Sequence, residues 1–520
     1  MSIIKIAGLN EWVDLSLFRE NRSIAENCTA ENIQKYLDEK VKVKDLTVSR
    51  AAVVTDGRWS APTLMGDFIP APTYEGLPAF CDVEIAHVTG RHTENINVWV
   101  PIRWNERFLG VQGGGNRTTC WLPEAMATGM RTLYMPAALR NGYACSCTDG
   151  ACRAAEMFGW GVDYEKKELD LEMYFNWIDY STHVAAVVGK AVTECLCGMA
   201  PKYSYTMGAS GGGRQVAYAA QKFPQDYDGY WADCPVLSYQ KMLPALAWPG
   251  VVMNEYHDAL PTEKYEAFRA AVWEKAGGRE KFYNTTERVD FDPFTIVGRE
   301  TPAGVITETD ATVMQKIWEG PRSPEGEFLW YGMRPGVSGW SSPLGYAATV
   351  KQEDGSTAPV PFSLTVEYMR DWIMMDKSWD FSTLTIEGYN RMHQKSCSKF
   401  SSMDLDNPDL RNLRDLGGKI IICHGIDDCA IYVDGTIDYY EKIIRTVGGK
   451  ERTKEFARLL IVPGDDHGNY SKFGHGPSTA TAMAALTAWV EEGIAPDTIH
   501  GQRFDLSTMT VAEEGDTAVY

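Results

Sequence analysis

One segment constrains the fold more than any other: an apolar run that passes through a glycine-rich turn into an amphipathic stretch. The run Tyr203–Met207 has the character of a short buried strand, and Gly208-Ala-Ser-Gly-Gly follows it directly. A helix is predicted from about 214 to 222. This order is typical of a nucleophile elbow, whose glycines permit a sharp turn that raises Ser210 above the edge of a sheet. A Walker A phosphate loop is excluded because no Lys-Ser or Lys-Thr follows the glycines, and a plain tight turn is the alternative.

The pattern on both sides of this segment predicts an α/β architecture with an insertion. From about residue 79, short apolar runs alternate with longer amphipathic stretches, and the same rhythm returns at 419–425 and 458–464. Between 239 and 400 the rhythm is lost, and Trp, Tyr, Met, Pro and Gly are frequent. We therefore divide the chain into 1–238, the N-terminal region and first part of the core, 239–400, the insertion, and 401–520, the second part of the core. The insertion is either a second domain with its own core or a lid over a pocket, and we favour the lid.

The composition argues against several classes of function. The chain has 520 residues, and 50 Lys and Arg against 70 Asp and Glu give a formal net charge of −20. A surface this negative repels phosphate backbones and anionic lipids, so we expect neither a nucleic-acid nor a membrane partner. No stretch of about 18 apolar residues occurs, and the sequence does not open with a basic segment followed by a long apolar run. We therefore expect a cytoplasmic protein.

The cysteines are numerous, but their spacing does not predict a metal site. There are twelve, and a reducing compartment would keep most of them as thiols. The densest cluster is Cys145, Cys147 and Cys152, whose spacing fits no standard zinc pattern. Because cysteine is among the most frequently buried residue types, we expect buried thiols here rather than metal ligands.

A serine nucleophile needs a base and an acid, and the order of the chain limits the choice of both. The base should be a histidine late in the chain, and the acid should lie between the serine and that histidine. His467 follows the apolar run 458–462 and is favoured over its rival His475, whereas His424 at the end of an earlier run is expected to be structural. The loop after that earlier run offers Asp427 and Asp428, which spacing alone does not separate.

At this point the chain resembles a known family, from about residue 28 to 497. The resemblance is carried by ordered pieces: Pro78-Ala-Phe-Cys-Asp-Val, Trp104-Asn-Glu-Arg-Phe-Leu-Gly-Val, Asn141-Gly-Tyr-Ala, Thr148-Asp, His183 with Lys190, Gly208-Ala-Ser-Gly-Gly-Gly-Arg-Gln, Phe223-Pro-Gln-Asp-Tyr-Asp-Gly, His424-Gly-Ile-Asp-Asp, Val462-Pro-Gly-Asp-Asp-His and Trp489-Val-Glu-Glu-Gly-Ile-Ala-Pro-Asp. These pieces are similar to the tannase and feruloyl esterase family of α/β-hydrolases.

The resemblance implies a fold, a triad and a reaction. The fold would be an α/β-hydrolase with a large lid inserted between the nucleophile strand and the acid strand, and the triad would be Ser210, Asp428 and His467. Family members hydrolyse esters of aromatic acids without a cofactor. We expect the oxyanion to be held by the backbone N–H groups of Gly211 and Gly114, with Gly115 as the next choice. The alternatives are amide or carbon–carbon bond hydrolysis on the same triad, and a non-catalytic binding protein.

The chain departs from the family pattern at two places. Relatives usually have a disulfide between cysteines immediately before the serine and immediately after the histidine, where this chain has Ala209 and Gly468. Secreted relatives often carry an Asp-rich calcium loop in the lid, whereas the equivalent stretch here, from Thr262, has the pattern of an amphipathic helix. We therefore predict no calcium and no metal. Cys28 and Cys81 fall where relatives have cysteines, so they are candidates for a pair.

Overall fold

The computed structural model describes residues 3–61, 72–119, 121, 134–152, 157–338, 345, 347–468, 473–505, 508 and 510–520. Within these residues the structure centres on a sheet of nine strands. We number them β1 (Leu46–Val54), β2 (Phe80–Thr89), β3 (His92–Pro101), β4 (Arg107–Val111), β5 (Ala144–Thr148), β6 (Tyr203–Ala209), β7 (Gly229–Asp233), β8 (Lys419–Gly425) and β9 (Ala457–Val462).

The order across the sheet is β9-β8-β7-β6-β4-β5-β3-β2-β1. The six strands from β9 to β5 are parallel, and β3, β2 and β1 continue the sheet as antiparallel strands. The parallel strands β7 and β9 are buried along their whole length, because helices cover both faces of the sheet. Successive residues of β8 enter different cores, with Ile420 and Ile422 on one face and Ile421 and Cys423 on the other.

Helices alternate with the parallel strands, as the sequence rhythm predicts. The longer ones are α1 (Ala30–Lys40), α2 (Ser181–Cys197), α3 (Gly211–Lys222), α4 (Tyr239–Leu246), α5 (Trp248–Tyr256), α6 (Thr262–Lys275), α7 (Glu308–Glu319), α8 (Ile386–Lys399), α9 (Val433–Val447) and α10 (Thr479–Glu492). Helix α3 packs on β6 and β7, α2 packs on β5, and α10 packs on β7 and β8. In the part of the chain that is described, no helix is both long and apolar enough to cross a bilayer.

Shorter elements complete the fold. Helices of fewer than eight residues lie at Leu15–Leu17, Arg22–Glu26, Met135–Arg140, Leu171–Phe175, Asn176–Tyr180, Arg279–Phe282, Pro293–Ile296, Ser363–Glu367, Tyr368–Met374, Phe381–Thr383, Ser401–Met403, Arg411–Asp415 and Lys450–Lys454. Antiparallel pairs join Ile4–Gly8 to Glu11–Val13, Trp59–Ser60 to Thr73–Tyr74, Val162–Asp163 to Glu168–Leu169, Glu300–Thr301 to Gly304–Val305, Ala348–Lys351 to Thr357–Val360, and Thr498–Asp505 to Thr510–Ala518.

The insertion lies between two neighbouring strands of the sheet. Strand β7 ends at Asp233 and its parallel neighbour β8 begins at Lys419, so helices α4 to α8 belong to the connection between them. The helix predicted from Thr262 is confirmed as α6, which buries Tyr265, Phe268 and Val272. The aromatic core of the insertion continues into that of the sheet, since the rings of Trp372 and Trp177 lie 5.4 Å apart. The boundaries at 239 and 400 and the role as a lid stay predictions.

Candidate active site

Ser210 occupies the turn between strand β6 and helix α3. Its backbone has φ 59° and ψ −120°, a positive φ that is unusual for a residue with a side chain. The turn is held on both sides, because the N–H of Ser210 donates to the carbonyl of Asp233 at 3.0 Å and its own carbonyl accepts from the N–H of Arg214 at 2.9 Å. A strained serine between a strand and a helix is the geometry of a nucleophile elbow.

The glycines around the elbow allow a second loop to lie directly against it. A Cβ atom at Gly211 would lie 2.1 Å from the carbonyl oxygen of Gly115, and one at Gly212 would lie 2.3 Å from that of Gly113. Contacts this short exclude any side chain at either position. The loop that follows β4 therefore touches the start of α3, and the structure brings together the two segments from which Gly211 and Gly114 were predicted to donate to an oxyanion.

Asp428 and His467 are hydrogen-bonded to each other in the loops that follow β8 and β9. The Nδ1 atom of His467 lies 3.0 Å from Oδ1 and 2.9 Å from Oδ2 of Asp428. The same carboxylate accepts N–H groups from Ala430 at 2.7 Å and Ile431 at 2.8 Å. Burial favours the neutral acid, but the charge of His467 and the hydrogen bonds from His424 and His467 outweigh it and lower the pKa of Asp428 below its usual value.

His467 lies beside the elbow. A Cβ atom at Gly468 would lie 3.0 Å from the Cβ of Ala209, so the residue after the histidine touches the residue before Ser210. Burial alone would lower the pKa of His467, but the negative charges of Asp428, Asp466 and Asp233 raise it above the ordinary value. A neutral imidazole whose protonated form is stabilised by a buried carboxylate can accept a proton from a hydroxyl group.

The two neighbouring carboxyl groups, which spacing did not separate, have different partners. Asp427 turns away from His467 and accepts hydrogen bonds from the backbone N–H of Ser338, at 2.9 Å, and from the Ser338 hydroxyl. Burial raises the pKa of Asp427 to about 7, against the lowering effect of Ser338 and Arg269. The structure therefore places Asp428 on the histidine and Asp427 on the insertion.

The other two candidate histidines also have definite places. His475 packs against the C-terminal hairpin, where its ring lies 3.1 Å from a Cβ atom built on Gly515 and its Nε2 lies 3.6 Å from a carboxylate oxygen of Glu513. His424, which the sequence indicated as structural, contacts Asp428, with 3.1 Å between Nε2 and Oδ2. The His-x-x-x-Asp spacing at the end of a strand is the signal that could have revealed this contact.

Among the residues that the structure describes, two groups of side chains have donor atoms close enough to share a metal ion. In the first, Cys234, Asp428 and His467 have ligand atoms within 4.8 Å of one another. Asp428 already accepts hydrogen bonds on both oxygens, so this group fits a hydrogen-bonded acid–base pair. The second consists of His92, Asp170 and Glu172, and there the guanidinium of Arg91 lies 2.6 Å from Asp170 Oδ2 and balances its charge.

The described cysteines are free thiols. Cys145 and Cys147 lie in β5 and Cys152 follows it, and all three are buried, as predicted. Burial raises the pKa of Cys145 and Cys152. Cys28 and Cys81 are buried neighbours, and the interaction of their thiols lowers the pKa of Cys28 and raises the pKa of Cys81. The Cys81 thiol donates to the backbone carbonyl of Ile24 at 3.3 Å.

Known proteins are similar to this chain in sequence and in fold. The chain is 30% identical over 443 residues to a "Probable feruloyl esterase" of Arthroderma benhamiae, covering 82% of this chain and 79% of that one. It is 28% identical to the "Mono(2-hydroxyethyl) terephthalate hydrolase" of Piscinibacter sakaiensis, covering 81% and 78%. The structure of the tannin acyl hydrolase from Aspergillus niger superposes with a TM-score of 0.76 at 20% identity, covering 96% and 93%.

The family and the fold follow from these findings. The chain has the α/β-hydrolase fold, as predicted. The family model described as "Tannase and feruloyl esterase" matches residues 81–515, which is most of the chain. This protein is a carboxylic ester hydrolase and belongs to the tannase and feruloyl esterase family.

Proposed function

We propose that the protein hydrolyses esters of aromatic acids through a triad of Ser210, His467 and Asp428. The observation that carries this proposal is the hydrogen bond between His467 and Asp428, formed by the loops after β8 and β9, next to the elbow that holds Ser210. The names of the relatives support the substrate class, since one is called a probable feruloyl esterase and another a mono(2-hydroxyethyl) terephthalate hydrolase.

The reaction is an acyl transfer in two halves. His467 accepts the proton of the Ser210 hydroxyl as the oxygen attacks the ester carbonyl, and Asp428 holds the imidazole in the required tautomer and stabilises its charged form. The proton then passes to the leaving alcohol, and water resolves the acyl-enzyme by the same steps. The backbone N–H groups of Gly211 and Gly114 stabilise the oxyanion, each by about 2.7–4 kcal/mol in comparable sites.

The insertion is proposed as the lid that selects the acyl group. Two contacts support this role: Leu364 lies 3.9 Å from a Cβ atom built on Gly115, and Ser338 hydrogen-bonds to Asp427 beside the acid. The insertion thus meets both the proposed oxyanion loop and the acid loop. The location of the protein in the cytoplasm stays a prediction.

A panel of hydroxybenzoyl, cinnamoyl and terephthaloyl esters tests the activity, and a fluorophosphonate probe tests the nucleophile. Ser210→Ala should lose both labelling and turnover, and Asp428→Asn should lower kcat by up to about 10⁴-fold because asparagine imposes the wrong tautomer on His467. Asp427→Asn is the matched control, since it changes the adjacent carboxyl group. Full labelling of Ser210→Ala would refute the proposed nucleophile, and hydrolysis of matched amides in preference to esters would favour the alternative reaction.

A further inference from the structure

We infer that His424 is a positioning residue that fixes the acid of the triad by donating a hydrogen bond to Oδ2 of Asp428, the oxygen that His467 also contacts. This inference rests on the proposed function, because it concerns how Asp428 serves His467. It starts from a buried histidine whose two ring nitrogens both have partners in the loop and helix that follow its own strand.

The first step concerns the two contacts of the ring. His424 is the penultimate residue of β8 and is fully buried. Its Nε2 lies 3.1 Å from Oδ2 of Asp428, and its Nδ1 lies 2.8 Å from the hydroxyl oxygen of Thr436. Thr436 belongs to the first turn of α9, so the imidazole of His424 connects strand β8 to helix α9 and contacts the acid loop that joins them.

The second step is the direction of these hydrogen bonds. An ionised carboxylate only accepts, so Nε2 of His424 carries the proton that it donates to Asp428. In the neutral ring Nδ1 is then an acceptor. The Thr436 hydroxyl can rotate so that its hydrogen points at Nδ1 and donates to it. The carboxylate of Asp428 therefore selects the tautomer of His424, and the Thr436 hydroxyl supplies the hydrogen-bond donor that this tautomer needs at Nδ1.

The third step is what the carboxylate gains. Oδ1 of Asp428 accepts from the backbone N–H groups of Ala430 and Ile431, and Oδ2 accepts from His424. Nδ1 of His467 lies 3.0 Å from Oδ1 and 2.9 Å from Oδ2. With a fixed donor on each oxygen, the plane of the carboxylate is set before His467 is protonated. A preorganised acid needs no reorientation when the imidazolium forms, so His424 contributes to the transition state without touching substrate.

The test combines His424→Leu, which removes the donor, with His424→Gln, whose amide N–H lies close to the position of Nε2. In His424→Leu we expect kcat to fall by about 10- to 100-fold with KM nearly unchanged, as for the loss of one hydrogen bond to a charged group. The acid limb of the kcat/KM profile should move to higher pH, because a carboxylate that has lost the His424 hydrogen bond stabilises protonated His467 more strongly and so raises the pKa of His467. His424→Gln should restore kcat to within about threefold and return the limb toward the wild-type position.

The pH profile reports on His467 and the groups that face it. These are Asp428 from the loop after β8, Asp466 in its own loop, Asp233 at the end of β7 and the thiol of the next residue, Cys234, and neither variant changes any of them. His183→Gln is the matched control, since His183 forms a comparable pair with Asp226, 2.7 Å apart, at another place in the fold. It should lower the melting temperature without moving the profile.

A double-mutant cycle separates this inference from the proposed function. If His424 acts through Asp428, then His424→Leu should cost little further activity in an Asp428→Asn background. An Asp428→Asn enzyme that keeps full turnover would refute the triad and this inference together. If Asp428→Asn is strongly impaired, the triad is supported. If His424→Leu then costs the same activity in the wild-type and the Asp428→Asn backgrounds, the proposed role of His424 is refuted and the triad is not. A His424→Leu enzyme with a lower melting temperature but unchanged kcat and pH profile would also overturn it.

Discussion

The stability of the protein should depend on pH through Asp427, and replacing this residue by asparagine should remove that dependence. Asp427 is buried between the core and the insertion, where it faces Ser338, Arg269 of α6 and Asp466 of the loop after β9. Asparagine fits the same contacts, since its amide oxygen can accept the Ser338 N–H and its amide nitrogen can donate to the rotatable Ser338 hydroxyl.

The magnitude follows from the pKa of the carboxyl group in the two states. Burial raises the pKa of Asp427 to about 7 in the folded protein, whereas an aspartate in an unfolded chain has a pKa of about 3.9. The folded state binds this proton more tightly than the unfolded state does. The stabilisation that the protonated carboxyl group of Asp427 provides is therefore complete below about pH 4 and is lost as the pH rises through about 7. At about 1.4 kcal/mol per pKa unit, the loss approaches about 4 kcal/mol.

The assay is thermal unfolding of the wild type and of Asp427→Asn between pH 4.5 and pH 8.5. For a chain of this length, about 2.1 cal/mol/K of unfolding entropy per residue converts about 4 kcal/mol into a shift of about 4 °C. About 2.5 of these pKa units, or about 3.5 kcal/mol, lie above pH 4.5, so the melting temperature of the wild type should fall by about 3 °C relative to that of the variant as the pH rises. Two curves that stay parallel across this range would show that Asp427 is ionised throughout and would refute the reasoning.

Three further predictions concern the catalytic loops. His467→Ala should abolish ester hydrolysis and His475→Ala should leave most of it, whereas the reverse result would move the base to the hairpin. Gly468→Ala should lower kcat by at least tenfold, because a side chain at its φ of 59° costs about 1–2 kcal/mol and the added methyl group would lie 3.0 Å from the Cβ of Ala209. Gly493→Ala is the control: Gly493 has a φ of 72°, and a Cβ atom there would have no atom within 4 Å, so this variant should lower only the melting temperature. Millimolar phosphine reductant and EDTA should each leave turnover unchanged, and a rapid loss with either would reveal a supporting disulfide or a metal.

The parts of the fold that could be predicted from the sequence are those that local pattern decides. The apolar run Tyr203–Met207 and the glycines after it required a strand and a sharp turn, and the structure has β6 followed by a positive φ at Ser210. The apolar runs at 419–425 and 458–462 predicted a return of the α/β rhythm, and the structure has the strands β8 and β9 there. In each case the residues that determine the element lie within the element.

The parts that could not be predicted depend on partners far along the chain. Asp427 and Asp428 are adjacent and chemically identical, and what separates them is Ser338, which is 89 residues away from Asp427. The sequence offered His475 as a second candidate base, but in the structure His475 lies against the C-terminal hairpin. The carbonyl oxygen of His475 is 2.1 Å from a Cβ atom built on Gly501 of that hairpin. The contact between His424 and Asp428 was missed for a different reason, since a buried strand shows that a histidine is packed but not which side chains its ring meets.

The register of the catalytic loops is set by backbone hydrogen bonds that continue the sheet beyond the ends of its strands. At the elbow, the N–H of Ser210 donates to Asp233 at the end of β7. The N–H of the next residue, Cys234, donates to Cys423 of β8 at 2.7 Å, and that of Asp427 donates to Asp465 after β9 at 2.9 Å.

These three bonds link the nucleophile, acid and base loops in the order in which their strands lie in the sheet. A Cβ atom at Gly425 would lie 2.2 Å from the carbonyl oxygen of Asp465, so the acid and base loops are also in backbone contact. A chain of backbone contacts needs no particular side chains, apart from the glycines that permit the close approach. Positions 209 and 468 can therefore hold alanine and glycine while the loops keep their alignment, which is the physical reason to expect an activity that reductants do not affect.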